Sequence, residues 1–221
     1  MKIKKLLFVA ILLAGGSILF AQTDSSKFAY NFRIGTTGYQ GDYASEFFSF
    51  THGVSFGVGV SRYINPSFDI VANVNYGKIQ GDPLGANGVK SMPAGVNFKA
   101  NLTCLNILLK YKFTNGYLLK ESAKLSPYLL AGAGTLFNAS SGVGFSGAFS
   151  GSTKEKVLAA NLSLGLGLRY RLTNKLGIFI QTLELATGTD KIDGWYPDAP
   201  SNKKNDKLLL NTIGITYTPG S

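Results

Sequence analysis

The sequence predicts an all-β fold, a single eight-stranded antiparallel up-and-down transmembrane β-barrel, on three observations. The first is alternation. From Val157 to Leu172, Leu158, Ala160, Leu162, Leu164, Leu166, Leu168 and Tyr170 share one face, and Ala159, Asn161, Ser163, Gly165, Gly167, Arg169 and Arg171 share the other. A period of two marks a strand, and a tilted strand of this length crosses a hydrocarbon layer of roughly 25 Å. The second is recurrence, because five further segments carry the same signal and two more are strand-like with less decided faces. The third is that the connections alternate between short and long, as a barrel with both chain ends on one side of the membrane requires.

The strands follow in order from Gln22. The first sets Phe28, Tyr30, Phe32 and Ile34 against Ala29, Asn31, Arg33 and Gly35; the second sets Val54, Phe56, Val58 and Val60 against Ser55, Gly57, Gly59 and Ser61. The third alternates Phe68, Ile70, Ala72, Val74 and Tyr76 with Asp69, Val71, Asn73, Asn75 and Gly77. In the fourth, Leu105, Ile107, Leu109, Tyr111 and Phe113 oppose Cys104, Asn106, Leu108, Lys110 and Lys112. The fifth, about Pro127 to Phe137, has faces blurred by Ala131, Gly132, Ala133 and Gly134. After the long sixth strand, the seventh spans about Leu176 to Leu185. There Ile178 and Ile180 compete with Phe179 and Leu183 for the apolar side, and its register stays open. The eighth runs from about Leu208 to Tyr217, with Ile213, Ile215 and Tyr217 opposite Thr212, Gly214 and Thr216.

Short turns follow strands two, four and six: Ile64-Asn65-Pro66-Ser67, a stretch opened by Asn115-Gly116 and extended through Lys120 to Ser126, and Thr173-Asn174-Lys175. All carry ordinary turn chemistry. Long loops are expected at Asp42 to His52, Ile79 to Asn97, Asn138 to Lys156 and Ala186 to Asp206.

A soluble barrel around a ligand also alternates, with its apolar residues inside. Lipid outside is favoured because the apolar faces assigned above hold no charge, and Lys or Arg at a bilayer midplane costs about 2–4 kcal/mol. Aromatic residues gather near strand ends: Tyr63, Phe68, Tyr111, Phe113, Tyr128, Tyr170 and Tyr217 near the short turns, Tyr39, Tyr43 and Tyr76 near the long loops. Two belts at the head-group boundaries are therefore expected. The opposite faces hold Gly, Ser and Asn with a polar network of Arg33, Asp69, Asn73, Lys110, Arg169 and Arg171, as suits a narrow lumen in which Asp69 and Lys110 lie at similar depth. Eight strands leave room for side chains only, so a wide diffusion pore is not expected.

Composition agrees: 45% hydrophobic, 15% charged and 27 glycines is poor in charge for a soluble domain. Of the net charge of +10, three come from Lys2, Lys4 and Lys5, which precede the apolar run Leu6 to Phe20 and the small residue Ala21. Residues 1–21 thus read as a secretory signal peptide and 22–221 as the barrel domain, with a retained anchor as the alternative because Leu19 occupies a position that favours a small side chain. The remaining cations are scattered rather than interleaved with aromatics, which argues against nucleic acid and for anionic head groups, lipopolysaccharide among them. Cys104 is the only cysteine, which excludes an internal disulfide and a cysteine-built zinc cluster.

Chemistry-bearing motifs are weak. His52 lies beside Glu46, Ser49 and Ser55, which would suit a nucleophile, base and acid, but no spacing enforces that geometry. Gly142, Gly144 and Gly147 spell G-x-G-x-x-G with no helix to follow. Asp190, Asp193 and Asp198 lack calcium-loop spacing. No catalytic residue, metal or cofactor is therefore assigned. Phe145 and Phe149 in the third loop, with Trp195 and Tyr196 in the fourth, are the aromatics that suggest contact with a surface partner; packing over the barrel mouth is the alternative.

The stretches Ser61-Arg62-Tyr63-Ile64-Asn65-Pro66-Ser67-Phe68-Asp69, Leu109 to Tyr117 and Pro127-Tyr128-Leu129-Leu130-Ala131-Gly132-Ala133-Gly134 resemble the amino-terminal barrel of outer-membrane protein A (OmpA-type) proteins, a likeness running from about Phe28 to Tyr217. The resemblance implies a monomeric barrel of the outer membrane and says little of activity. It does not reach the peptidoglycan-binding domain that many members carry, so wall anchoring is not carried over; the end at Thr218-Pro219-Gly220-Ser221 lacks the terminal aromatic that such barrels often present to the assembly machinery, a part that Tyr217 could take from inside. The function expected is non-enzymatic: envelope structure and loop-borne surface contacts. The alternatives are a small-molecule or lipid-binding barrel and a lipid A-modifying enzyme.

Overall fold

The structure, a computed structural model, describes residues 28–40, 53–81, 97–146, 149–189, 192 and 206–219. Eight strands follow in chain order: β1 Phe28–Gln40, β2 Val54–Tyr63, β3 Phe68–Gly81, β4 Asn97–Lys112, β5 Leu125–Ser146, β6 Phe149–Arg171, β7 Leu176–Thr187 and β8 Lys207–Tyr217. Each pairs antiparallel with its sequence neighbour, and β1 pairs with β8, closing the barrel. Closure removes the free edge, so the strands' backbone groups find partners within the wall.

The alternation in the sequence becomes inside and outside. Ile34, Phe56, Ile107, Leu158, Leu162, Leu164 and Leu166 are more than half exposed on the outer wall, whereas Asn31, Ser55, Asn73, Asn106, Asn161 and Ser163 are buried in the lumen. A soluble protein rarely exposes so continuous an apolar surface. The open register of β7 is resolved the same way, with Ile178 and Ile180 outward and Phe179, Leu183 and Leu185 buried.

Two features of the wall depart from expectation. The third loop, expected from Asn138 to Lys156, is mostly strand: β5 and β6 stay paired from Leu125↔Tyr170 up to Ser146↔Phe149. Phe145, Phe149 and the glycines Gly142 and Gly144 therefore belong to a long hairpin, where regular ladder bonds replace the irregular backbone that the small residues suggested. The outer face is also not free of charge. Glu184 points outward from β7, and Lys207 Nζ on β8 meets its Oε1 at 3.0 Å. Thr182 Oγ1 donates to Asn211 Oδ1 at 2.8 Å beside that pair.

In each short turn one side-chain oxygen adds two acceptor bonds to those of the backbone. Asn65 Oδ1 accepts from Ser67 N at 2.9 Å and Phe68 N at 2.8 Å. Asn115 Oδ1 accepts from Tyr117 N and Leu118 N, both at 3.1 Å, and Thr173 Oγ1 accepts from Lys175 N at 3.2 Å and Leu176 N at 3.0 Å. These local bonds mimic a backbone turn and terminate the strands. Gly116, at φ 85°, supplies the left-handed residue that the second turn needs. Phe68, Tyr111 and Phe113 stack at this end with ring centroids 5.3 Å apart in each successive pair, and Tyr63, Tyr170 and Tyr217 stand exposed near them.

Candidate functional site

Among the described residues, polar chemistry is concentrated in the lumen, which is filled in tiers. At the short-turn end, Lys112 Nζ meets Asp69 Oδ1 at 2.6 Å, donates to Asn65 O at 3.1 Å and lies 4.4 Å from the centroid of Tyr63. Asp69 and Lys110 share a register position on β3 and β4, but the ion pair forms with Lys112. Arg171 leaves the lumen: its Nη2 donates to Glu121 O at 2.6 Å and Ala123 O at 3.0 Å, tying the long second turn to β6.

Above that pair, Arg33, Asn73, Lys110 and Arg169 line a cavity of about 20 Å³ together with Tyr128 and Gln181. Of the six network residues expected from sequence, four thus meet at one cavity and two, Asp69 and Arg171, serve the rim. Tyr128 corrects an expectation. The sequence suggests a place in the outer belt, yet the residue is buried inside, its hydroxyl donates to Gln181 Oε1 at 3.2 Å and Lys110 Nζ sits 4.1 Å from its ring centroid. The cause is the run of small residues in β5, which gives no face to the strand and so hides its register. Thr216 Oγ1 donates to Asn31 Oδ1, and Asn31 Nδ2 donates to Ser61 Oγ, each at 2.8 Å.

The inward glycines hold the space that these side chains occupy. A Cβ at Gly59 would sit 2.7 Å from Arg33 Nη2, and one at Gly177 would sit 2.8 Å from Arg169 Nε. Gly167 faces the Tyr128 ring and Gly214 the Phe179 ring in the same way. The pattern of strand glycine opposite a large inward side chain follows from the narrow bore of an eight-stranded barrel.

The middle tier is an amide and hydroxyl ladder in which Asn75 Nδ2 donates to Asn73 Oδ1 at 3.1 Å and Ser163 Oγ donates to Asn161 Oδ1 at 2.9 Å. The long-loop end is apolar, a tier that the sequence did not suggest: Ile79, Leu102, Leu136, Leu185 and Leu208 are buried there with Tyr39 and Ile192. Tyr39, expected in an outer belt, turns inward and its hydroxyl donates to Asp206 Oδ1 at 2.7 Å. Asp206 Oδ2 accepts from Ile192 N at 2.9 Å, and Asn138 Nδ2 donates to Ile192 O at 2.7 Å. The fourth long connection is therefore pinned into the barrel mouth at Ile192. Its partners come from distant strands, which is why no local signal announced them.

The remaining candidates fall elsewhere. Ser55 is buried on the inward face of β2; Glu46, Ser49, His52, Asp190, Asp193, Asp198, Gly147, Trp195 and Tyr196 lie outside the described residues. Phe145 and Phe149 are described as strand backbone alone.

A filled, closed, outwardly apolar barrel has counterparts among known proteins. The model of the family described as Domain of unknown function (DUF6089) matches residues 4–220. The chain belongs to that family. No curated protein matches it in sequence. Among solved structures, Neisserial surface protein A (NspA) is similar at 16% identity and a TM-score of 0.54, over 88% of this chain and 98% of that one. A major outer membrane protein from Thermus thermophilus gives 13% identity and a TM-score of 0.53, over 88% and 100%. Ail, the attachment invasion locus protein of Yersinia pestis, solved with the heparin analogue sucrose octasulfate, gives 11%, 0.50, 88% and 99%. At these identities the likeness is one of fold: this DUF6089 chain has the eight-stranded architecture of an outer-membrane barrel.

Proposed function

We propose that this DUF6089 protein is a non-enzymatic, monomeric barrel of the outer membrane, akin to the OmpA-type barrels in its turns, that contributes to envelope structure and offers its long-loop end for contacts outside the cell. The observation that carries the reading is the orientation of its faces. Leucines such as Leu162 and Leu164 stand about two-thirds exposed, at 68% and 66%, while Asn106, Asn161 and Ser163 are buried. That arrangement suits lipid and lipopolysaccharide outside and a packed plug inside, and it runs against a soluble binder with its apolar residues around a ligand. The interior supports a structural role as well: among the described residues, the cavity that Arg33, Lys110 and Arg169 line holds about 20 Å³, far below the roughly 300 Å³ of an ordinary ligand pocket.

The mechanism is mechanical. A hydrogen-bonded cylinder with a rigid polar and apolar filling resists lateral deformation and holds its loops at fixed spacing. In a strain lacking the protein, detergent sensitivity should rise while the lipid A mass spectrum stays unchanged, and the protein itself should fractionate with outer membranes and shift in gel mobility on boiling. An altered lipid A profile would replace this reading with an enzymatic one, and recovery of the mature chain in the soluble fraction would replace it with a binding barrel.

A further inference from the structure

The cavity on the short-turn side of the lumen gathers positive charge from three strands: Arg33 of β1, Lys110 of β4 and Arg169 of β6 all line it. The carboxylate placed to answer them, Asp69, is held by Lys112 at 2.6 Å. No described hydrogen bond or ion pair satisfies the three cations. Arg33 is 7% exposed, the Nε atoms of Arg33 and Arg169 and the Nδ2 of Asn73 have no hydrogen-bond partner among the described residues, and Lys110 rests on the Tyr128 ring.

Three cations that share one carboxylate, itself in contact with Lys112, are costly inside a lipid-wrapped wall, and a water dipole solvates them without adding negative charge. One anion among them accepts from their N–H donors and also supplies a negative charge. The cavity, at about 20 Å³, is larger than the roughly 10–15 Å³ that one water needs, and its small size favours a compact ion over a polyatomic one. We propose that it binds a single monatomic halide, chloride under ordinary conditions, between Arg33, Lys110 and Arg169 with the Asn73 amide as a further donor. The ion then acts as a structural counter-charge that locks β1, β4 and β6 together through the lumen.

The test uses the full mature chain purified in a non-ionic detergent, with unfolding by urea followed at constant ionic strength in sodium gluconate, chloride, bromide or sulfate. Binding to the folded state alone predicts that the unfolding equilibrium constant falls about tenfold at a halide concentration ten times the dissociation constant. Chloride and bromide should stabilise relative to gluconate, and the part of any sulfate effect that comes from its general exclusion from protein surfaces should persist in Lys110→Met. Lys110→Met should lose that halide response, and Lys207→Met, which removes an outward cation, should keep it. A bromide-soaked crystal should show anomalous density between the two guanidinium groups and the Lys110 ammonium, a readout that stands even if Lys110→Met fails to fold. Equal stability in gluconate and chloride, an undiminished response in Lys110→Met, or bromide density absent from the cavity would overturn the proposal.

Discussion

Gly214 shows how little space a residue has inside this barrel. A Cβ there would run into the buried Phe179 ring and the Phe32 carbonyl, which the strand backbone holds in place. Gly214→Ala should therefore destabilise the barrel by about 1–3 kcal/mol, as overpacking does. Gly188→Ala, whose added carbon would meet nothing nearer than Ala160 O at 3.8 Å, should stay within about 0.5 kcal/mol of the parent. Urea titration monitored by β-sheet circular dichroism compares the two. Residue identity was legible in sequence where a side chain has an unambiguous character, as with Arg33 and Asn73 at the cavity. It was not legible for Tyr128 and Tyr39, because an amphipathic ring suits a head-group belt and a buried hydrogen bond equally well, and only the barrel's register decides between them.

At the scale of the element, strands with β-branched or aromatic faces were placed from alternation alone: β2, β3 and β4 keep the inward and outward sets that the sequence indicates. β5 and β7 required the tertiary structure. In β5 small residues leave no face to read, and in β7 both faces are apolar since Phe179, Leu183 and Leu185 fill the lumen while Ile178 and Ile180 meet lipid. Glu184 on that outward face follows from the same register. It is tolerated through its pairing with Lys207 at 3.0 Å. The short turns were legible because their chemistry is local. Asn65→Ala removes the Oδ1 that accepts from Ser67 N at 2.9 Å and Phe68 N at 2.8 Å, leaving Phe68 N its bond to Asn65 O, and should cost about 1 kcal/mol and loosen the β2–β3 register. Hydrogen exchange at Ser67 and Phe68 would report it, and unchanged protection would show that the strands alone hold the turn.

For the whole molecule, successive alternating segments announced an up-and-down barrel before any contact was known, and the pairing of β1 with β8 closes it, although the connection from β5 to β6 is a tight hairpin rather than the long loop expected. The plug was hidden, because Tyr39, Asn138, Ile192 and Asp206 meet only when distant strands are brought round the barrel. Its apolar tier at the long-loop end makes the barrel a filled cylinder with chemically distinct ends, cationic toward the short turns and apolar toward the long loops. The claim on which the rest depends is that the leucine face meets acyl chains. Single cysteines at Leu164, Leu166, Asn161 and Ser163, made in a Cys104→Ala background and spin-labelled in reconstituted bilayers, test it most directly. Positions 164 and 166 should collide readily with dissolved oxygen while 161 and 163 stay shielded. Shielded labels at 164 and 166 with accessible ones at 161 and 163 would contradict the account.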